Sequence, residues 1–464
     1  MDQNKSLYNT VIKNDYCIGC GACSFVNSDY KVQYDSYGML KATTDDLDLK
    51  NGNSIDKALN VCPFSDNSPD EDTHTNRIFD NSLKSNRYIG KYLNNYVGYV
   101  SEGEFRSKGS SGGFGKWILN ELLKRNEVDY VIQVITGNDP GKLYQFQVFQ
   151  KGDDILGGSK SAYYPVTLVE ALDFIKKNKG RYAITSIPCF SKAIRNICLQ
   201  DSEMNEKIKY VVGIICGHLK STGFAESLAW QLEVEPKNLR GIEFRDKIEG
   251  LNANEKGVWA RDEKGVKSVV MSSKELLGGN WGHGFFKYKA CDYCDDIVGE
   301  TTDVSVGDAW IKELMSDHEG NNVVIIRNKK IDHIVTEAIS KGRLNFQNVD
   351  EKIVVNSQAG GIRHRREGLS YRLYLKEKSG SEWCPKKRVS PSNSMPKTRK
   401  KIYRVREKLR DQSHVKFKEA KAKNDLKFFE VSMRKKLKKL NPSLLERLEY
   451  NTKRTIVKFL KSKR

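Results

Sequence analysis

Long apolar runs are missing from this chain of 464 residues. The longest is YVVGII at residues 210–215, far short of the roughly 18 residues that a membrane-spanning helix needs. The start of the chain also lacks an apolar stretch behind basic residues, so the sequence predicts no signal peptide. We therefore expect a cytoplasmic protein with a sizeable core and about two to four domains.

Excess charge is missing from most of the chain. Residues 395–464 carry 25 Lys and Arg against 7 Asp and Glu, which accounts for +18 of the total net charge of +20. The body is therefore close to neutral, and the charge imbalance belongs to the tail. The tail pattern predicts helices, with a fresh helix starting at Asn441 and Pro442.

The sequence also lacks internal repeats, sustained heptads, and Walker or dinucleotide fingerprints. From about residue 88, apolar strands alternate with amphipathic helices, which favours an α/β fold with a mixed or parallel sheet covered on both faces. We predict a small ferredoxin-like iron–sulfur module, a linker, an α/β domain and a basic helical tail. Their boundaries are 1–65, 66–87, 88–378 and 379–464.

Ten cysteines in a chain without a secretory signal are typical of metal ligands or reactive thiols rather than of disulfides. Cys17, Cys20 and Cys23 follow one another at two-residue steps in CIGCGAC, and Cys62 is followed by Pro63 in NVCPF. Three such thiolates and a distant Cys-Pro are typical of a [4Fe–4S] cluster. A zinc site and a degenerate site are the alternatives.

A second set of cysteines lies downstream. Cys189 and Cys216 come just after predicted strands, and Cys291 and Cys294 form a C-x2-C pair. Because ligands collect at the carboxyl ends of strands in such sheets, these four thiols are candidates for a second cubane. The alternative is that Cys216 is a small core residue and Cys189 a packing or reactive thiol.

Glycine-rich loops and one histidine complete the candidates for chemistry. RSKGSSGGFGKWIL places small residues at a helix start, where free N–H groups and the helix dipole favour a phosphate. LGGSKSAYYPV and DVSVGDAW offer two further loops, and all three have plain turns as the alternative. His218, after a strand end, is the candidate proton donor, with a structural histidine as the alternative. The candidate loop residues are Ser110, Ser111, Gly112, Gly113, Ser159, Lys160, Gly307 and Asp308.

In this order, CIGCGAC with the later CP, SSGGF, GGSK, IPCFSKAIR, IICGH, CDYC and VSVGDAW resemble the coenzyme F-420 hydrogenase/dehydrogenase beta-subunit family over about residues 14–375. The resemblance implies a flavoprotein that binds FAD and one or two [4Fe–4S] clusters. It also implies hydride exchange between the flavin and a small organic substrate, such as a deazaflavin or a polysaccharide-pathway intermediate. The loops above become flavin contacts, and the second cysteine set becomes a cluster site.

The sequence thus predicts an iron–sulfur flavin-dependent oxidoreductase that exchanges electrons with a ferredoxin-like partner. The alternative is a non-catalytic iron–sulfur electron carrier or adaptor subunit that docks through its basic tail. We expect the tail to meet an anionic membrane surface or an acidic protein. Nucleic acid is not an expected partner, because no nucleic-acid motif accompanies the charge. A solvated helical extension is the simplest alternative for the tail.

Overall fold

A computed structural model describes residues 6–52, 56–139, 141–158, 160–380 and 383–440, apart from the side chain of residue 138. Its strands, in chain order, are β1 Lys31–Tyr34, β2 Leu40–Thr43, β3 Lys84–Asn86, β4 Gly90–Tyr92, β5 Asn94–Val100, β6 Tyr130–Asp139, β7 Lys142–Gln150, β8 Tyr182–Ser186, β9 Ile208–Ile214, β10 Gly241–Asp246, β11 Gly257–Arg261, β12 Met271–Ser272, β13 Val304–Asp308, β14 Asn322–Ile326 and β15 Leu344–Asn348.

The α-helices are α1 Ala22–Val26, α2 Leu47–Asn51, α3 Glu71–Ile78, α4 Phe114–Lys124, α5 Val169–Lys177, α6 Pro188–Gln200, α7 Ser202–Lys207, α8 Thr222–Gln231, α9 Lys329–Ser340, α10 Glu351–Ser357, α11 Ala359–Arg365, α12 Glu367–Ser379, α13 Lys397–Lys423 and α14 Leu426–Leu437. A π-helical turn at Tyr8–Ile12 and several 3₁₀ turns, including Lys289–Tyr293, connect them. Within the described ranges, no helix is both long enough and apolar enough to cross a bilayer.

An eight-stranded mixed sheet organises the fold, in the order β15-β5-β14-β13-β9-β8-β6-β7. The central strands β13, β9, β8 and β6 run parallel, β14 and β7 pair antiparallel to their two ends, and β5 and β15 extend the β14 side by further antiparallel pairing. The predicted mixed α/β fold is therefore confirmed. The parallel centre brings the carboxyl ends of β8, β9 and β13 to one edge, where ligands collect in sheets of this kind.

The two faces of this sheet bury different cores, because side chains alternate along each strand. On β8, Ile184 faces the core formed with α5, α6 and the N-terminal cysteine segment, and Ala183 faces the core formed with α4 and α9. Val211 and Val212 on β9 divide in the same way. The cysteine segment therefore lies on one face of the sheet as part of its covering layer.

The segment predicted as a linker or loop, 66–87, is structured instead. It contains α3, whose first turn is capped by the Asp70 side chain, and β3. His74 is fully buried, and its Nε2 lies 2.6 Å from the Asn196 side-chain oxygen on α6. The polar residues that suggested a loop have other roles: Asp70 caps a helix and His74 forms a buried hydrogen bond.

The described part of the tail packs onto the body and is not a solvated extension. Leu409 and Phe417 on α13 and Phe429 and Met433 on α14 are buried in a core shared with α8 and the small β10-β11-β12 sheet. Asn424, with φ of 50°, forms the turn between the two helices. The helix predicted from Asn441 lies outside the described residues.

Candidate functional site

The first four cysteines surround one cavity. Cys17, Cys20, Cys23 and Cys62 all line one pocket, together with apolar side chains of the N-terminal segment. Cys23 lies on α1, and the turn before that helix passes through Gly21 at φ of 89°. The split arrangement expected from the sequence is therefore brought together in space.

Backbone amides point at this group from two sides. The N–H groups of Gly19 and Ala42 donate to the Cys17 sulfur at 3.4 and 3.2 Å. Burial, followed by the neighbouring thiols, raises the pKa of Cys23 well above its ordinary value, and burial raises the pKa of Cys20 to about 12. Amide donors aimed at sulfur are one of the features that tune iron–sulfur clusters, so these residues fit one.

Single-ion geometry is not found in the described ranges, where no three Cys, His, Asp or Glu side chains converge on one metal-ion position. The four cysteines of the first group line one pocket, and metal analysis distinguishes a cubane from zinc.

The second cysteine group is also assembled by the fold. Cys189 is the second residue of α6, Cys216 follows β9, and Cys291 and Cys294 lie in and just after the 3₁₀ turn. Burial, and then the thiols of the other three, raise the pKa of Cys189. Cys189 also packs against the core that contains Cys17, Cys20 and Cys23 of the first group.

Hydrogen bonds hold the backbone around this second group. The Leu219 N–H donates to the Cys291 sulfur at 3.2 Å. Arg365 donates to the carbonyl oxygens of Cys216 and Gly217, each at 2.7 Å. Asp296 accepts three backbone N–H groups just after Cys294. Each cysteine thus sits on a fixed segment, which suits the rigid ligation of a cluster.

Hydrogen bonds to Asn321 and Asn322 hold the loop before α4 in place. The Asn322 side chain accepts the Phe114 N–H at 3.0 Å, and the Ser111 hydroxyl donates to the Asn321 carbonyl at 2.9 Å. At Gly113, φ is 88°, and a Cβ there would lie 2.5 Å from the Phe105 backbone. Ser110 and Gly112 share this loop, where a Cβ on Gly112 would lie 2.8 Å from the Gly98 carbonyl oxygen.

Basic side chains crowd beside this loop, and sequence reasoning missed most of them. Lys160, a predicted contact, pairs with Asp246 at 2.8 Å. Burial is the main reason that the pKa values of Lys116, Lys247 and Lys256 are lowered to about 8; the charge of Lys160 contributes to this lowering, and nearby carboxylates such as Glu243 and Glu319 oppose it. Several cationic side chains in one region would stabilise an anion there. Ser159 lies outside the described residues.

The predicted residues on β13 serve contacts within the protein. Asp308 forms a two-pronged pair with the buried Arg245 guanidinium, at 2.6 and 2.8 Å. A Cβ on Gly307 would lie 2.7 Å from the Ile215 Cβ, so close packing explains this glycine. The Arg245 partner is the residue that the sequence reasoning overlooked, and its position in β10 gave no local signal.

Aromatic rings connect the second cysteine group with this basic region. The His218 ring stacks on Trp281, with centroids 4.3 Å apart and planes 20° apart. Tyr163 packs against the same Trp281 at 4.5 Å, and its hydroxyl lies 3.5 Å from Arg245 Nη1. Burial, then the charge of Lys220, holds the pKa of His218 far below its usual value. In the described part of the chain, nothing hydrogen-bonds to its buried Nε2.

Comparison with known proteins defines the class to which this fold and these residues belong. The family model for the N-terminal part of the "Coenzyme F420 hydrogenase/dehydrogenase, beta subunit" matches residues 95–173, and the model for its C terminus matches residues 179–352. Together these spans cover more than half of the chain. The chain therefore belongs to the coenzyme F420 hydrogenase/dehydrogenase beta-subunit family, whose description implies oxidoreductase activity.

One solved structure is similar over much of the chain. It belongs to the F420-reducing [NiFe] hydrogenase complex from Methanosarcina barkeri, with 17% sequence identity and a TM-score of 0.49. The alignment covers 67% of this chain and 99% of that chain. No curated protein matches this chain. The matched family spans leave out residues 17–62, which carry the first cysteine group, and the tail beyond 352.

Proposed function

We propose that this protein is an iron–sulfur flavoprotein oxidoreductase. The observation that carries the proposal is the arrangement of the cysteines, because Cys189 of the second group packs against the same core as the four cysteines of the first group. His218 lies two residues after Cys216 in the chain, and its ring stacks on Trp281. Trp281 in turn contacts Tyr163, which reaches Arg245 beside the basic region. The two cysteine groups, the aromatic rings and the basic region would together form a path for electrons toward a bound anionic cofactor.

The first group, in a module of residues 1–65, would hold one [4Fe–4S] cluster, and the second group would hold another. When bound, such clusters supply single-electron transfer. The protein's part is to fix the sulfurs and to surround them with amide donors and an apolar wall. Cys189 packs against the core that contains Cys20, and this placement supports short-range transfer between the two groups.

The basic region beside α4 would hold the pyrophosphate of FAD in the domain 88–378. A flavin converts between the two electrons of a hydride and the single electrons of a cluster. Lys116, Lys160 and Lys247 would neutralise the phosphate charge. The Gly112–Gly113 turn keeps side chains away from this surface.

The aromatic side chains would form one wall of the reaction site. Trp281 and Tyr163 present ring surface and exclude water, which strengthens electrostatic interactions nearby. His218 is our candidate for holding a proton at the site, because its Nε2 is a buried ring nitrogen without a partner in the described part of the chain. The substrate would be a small organic molecule, and a ferredoxin-like protein would be the electron partner in a cytoplasmic setting.

Anaerobic purification with iron, sulfide, zinc and flavin measured per chain tests the proposal. Two cubanes correspond to about eight iron ions and one cubane to about four. We expect about eight, together with bound FAD. Zinc without iron would overturn the cluster assignment, and clusters without FAD would favour the electron-carrier alternative.

Cysteine variants then separate the two groups. We expect Cys62→Ser to lose about half of the iron and leave the second group loaded, and Cys291→Ser to do the reverse. Cys198→Ser is the matched control, because Cys198 is buried on α6 apart from both groups. Iron contents equal to the parent in both ligand variants would contradict the proposed ligand sets.

A further inference from the structure

A buried carboxylate lies inside the C-x2-C pair of the second cysteine group. Asp292 separates Cys291 from Cys294 and is only 1% exposed. A buried charge is costly unless other groups compensate it. The groups that compensate Asp292 come from four separate parts of the chain, and three of them lie beyond the matched family spans.

The contacts of Asp292 are numerous for one side chain. Lys287 donates to one carboxylate oxygen, and Arg410 donates to the other at 2.5 Å. His364 Nε2 lies 3.4 Å away, and Arg372 Nη1 lies 3.9 Å away. Arg372 also donates from Nε to the Asp292 carbonyl at 2.7 Å. Both the side chain and the backbone of the ligand loop are therefore held.

Arg410 is itself fixed from the tail side. It lies on α13, and its Nε donates to Asp411 at 2.7 Å. The Ser413 hydroxyl donates to the Arg410 carbonyl and accepts the Phe286 N–H, both at 2.7 Å. Helix α13 thus holds the segment before the cysteine pair as well as the carboxylate within it. This is a different role from the docking arm that the charge of the tail suggested.

We propose that Arg410 is a positioning residue for the second cysteine group, and that its ion pair with Asp292 both fixes the Cys291–Cys294 loop and sets the electrostatic environment of a cluster held there. This inference rests on the proposed function, because it needs a cluster at the second group. It gives α13 of the basic tail a place inside the redox site.

Charge predicts the direction of the effect. Reduction of a cluster adds one negative charge, so a nearby cation favours the reduced form and a nearby anion opposes it. Removing the Arg410 charge leaves Asp292 less compensated, which lowers the reduction potential. Removing the Asp292 charge leaves Lys287, Arg372 and Arg410 in excess, which raises it. A residue with a merely structural role would not produce shifts of opposite sign.

The test is an anaerobic redox titration of the full-length protein, with the two clusters followed by their electron paramagnetic resonance signals. We expect a lower midpoint potential of the second cluster in Arg410→Met and a higher one in Asp292→Asn. Arg410→Lys should restore a value near the parent. Arg404→Met is the control, because Arg404 is an exposed arginine on the same helix. The first cluster should keep its potential throughout.

Each outcome bears on the inference. Loss of second-group iron in Arg410→Met, but not in Arg410→Lys or Arg404→Met, would also support the positioning role, because iron binding would then depend on the positive charge at residue 410. Unshifted potentials, or shifts of the same sign in Arg410→Met and Asp292→Asn, would overturn this inference and leave the proposed function intact. A parent protein that contains iron for only one cluster would overturn this inference and the two-cluster part of the proposed function together.

Discussion

Replacing Phe429 by alanine tests whether the basic tail is part of the folded body. The ring is fully buried on α14 and packs against Phe417 and Phe286, with centroids 5.3 and 5.7 Å apart. Truncating a buried phenylalanine to alanine typically costs about 3–5 kcal/mol, from lost transfer free energy and the cavity left behind. That is a large share of the roughly 5–15 kcal/mol that stabilises a typical domain.

Urea unfolding under anaerobic conditions, followed by tryptophan fluorescence, measures the change. Trp230 packs edge-on against Phe417 at 6.1 Å, so one of the chain's fluorophores reports on this core directly. The control is Val431→Ala, because Val431 lies on the same helix and is 60% exposed, and surface changes usually stay within about 0.5 kcal/mol. Equal unfolding midpoints for the Phe429→Ala and Val431→Ala variants would refute the packing of α14 against the body.

Two further predictions concern acidity and backbone conformation. Burial lowers the pKa of His414 to about 4 in the folded protein, whereas in the unfolded chain it is about 6.5. Between these two values, the unfolded chain binds a proton at His414 and the folded protein does not. The free energy of unfolding therefore has its full value above about pH 6.5 and decreases as the pH falls below it. Between pH 7 and pH 5, the parent should lose about 2 kcal/mol more unfolding free energy than His414→Asn, and equal losses would contradict this. Gly113→Ala should lower the melting temperature more than Gly152→Ala. Both glycines have positive φ, but only at Gly113 would a Cβ contact the Phe105 backbone. Equal changes in melting temperature would contradict that steric conflict.

The strands and helices of the sheet could be predicted because their signals are local. GNNVVIIRN gives β14, and the helical periodicity after the SSGG loop gives α4. The grouping of Cys62 with Cys17, Cys20 and Cys23 could also be predicted, because three closely spaced thiolates of the ferredoxin type need a fourth, and Cys62-Pro63 is the next cysteine along the chain. These features depend on neighbouring residues or on one unusual residue type.

Other features depend on partners that are distant in sequence. Nothing near Asp308 shows that Arg245, 63 residues earlier, occupies its carboxylate. The tail sequence contains apolar positions at Leu409, Phe417 and Phe429, but its high charge suggested exposure. A helix stripe becomes part of a core only when another surface covers it, and the sequence does not name that surface.

The ion pair between Asp292 and Arg410 also sets an order of assembly during synthesis. The first four cysteines lie within residues 17–62, so that group is complete soon after translation begins. Arg410 follows Asp292 by 118 residues, which at typical rates of about 5–20 residues per second takes about 6 to 24 s. Throughout that interval the carboxylate between Cys291 and Cys294 lacks a cation that will later neutralise it. If the two groups hold clusters as proposed, we expect iron loading of the second group to follow synthesis of Arg410, whereas the first group would be able to load earlier.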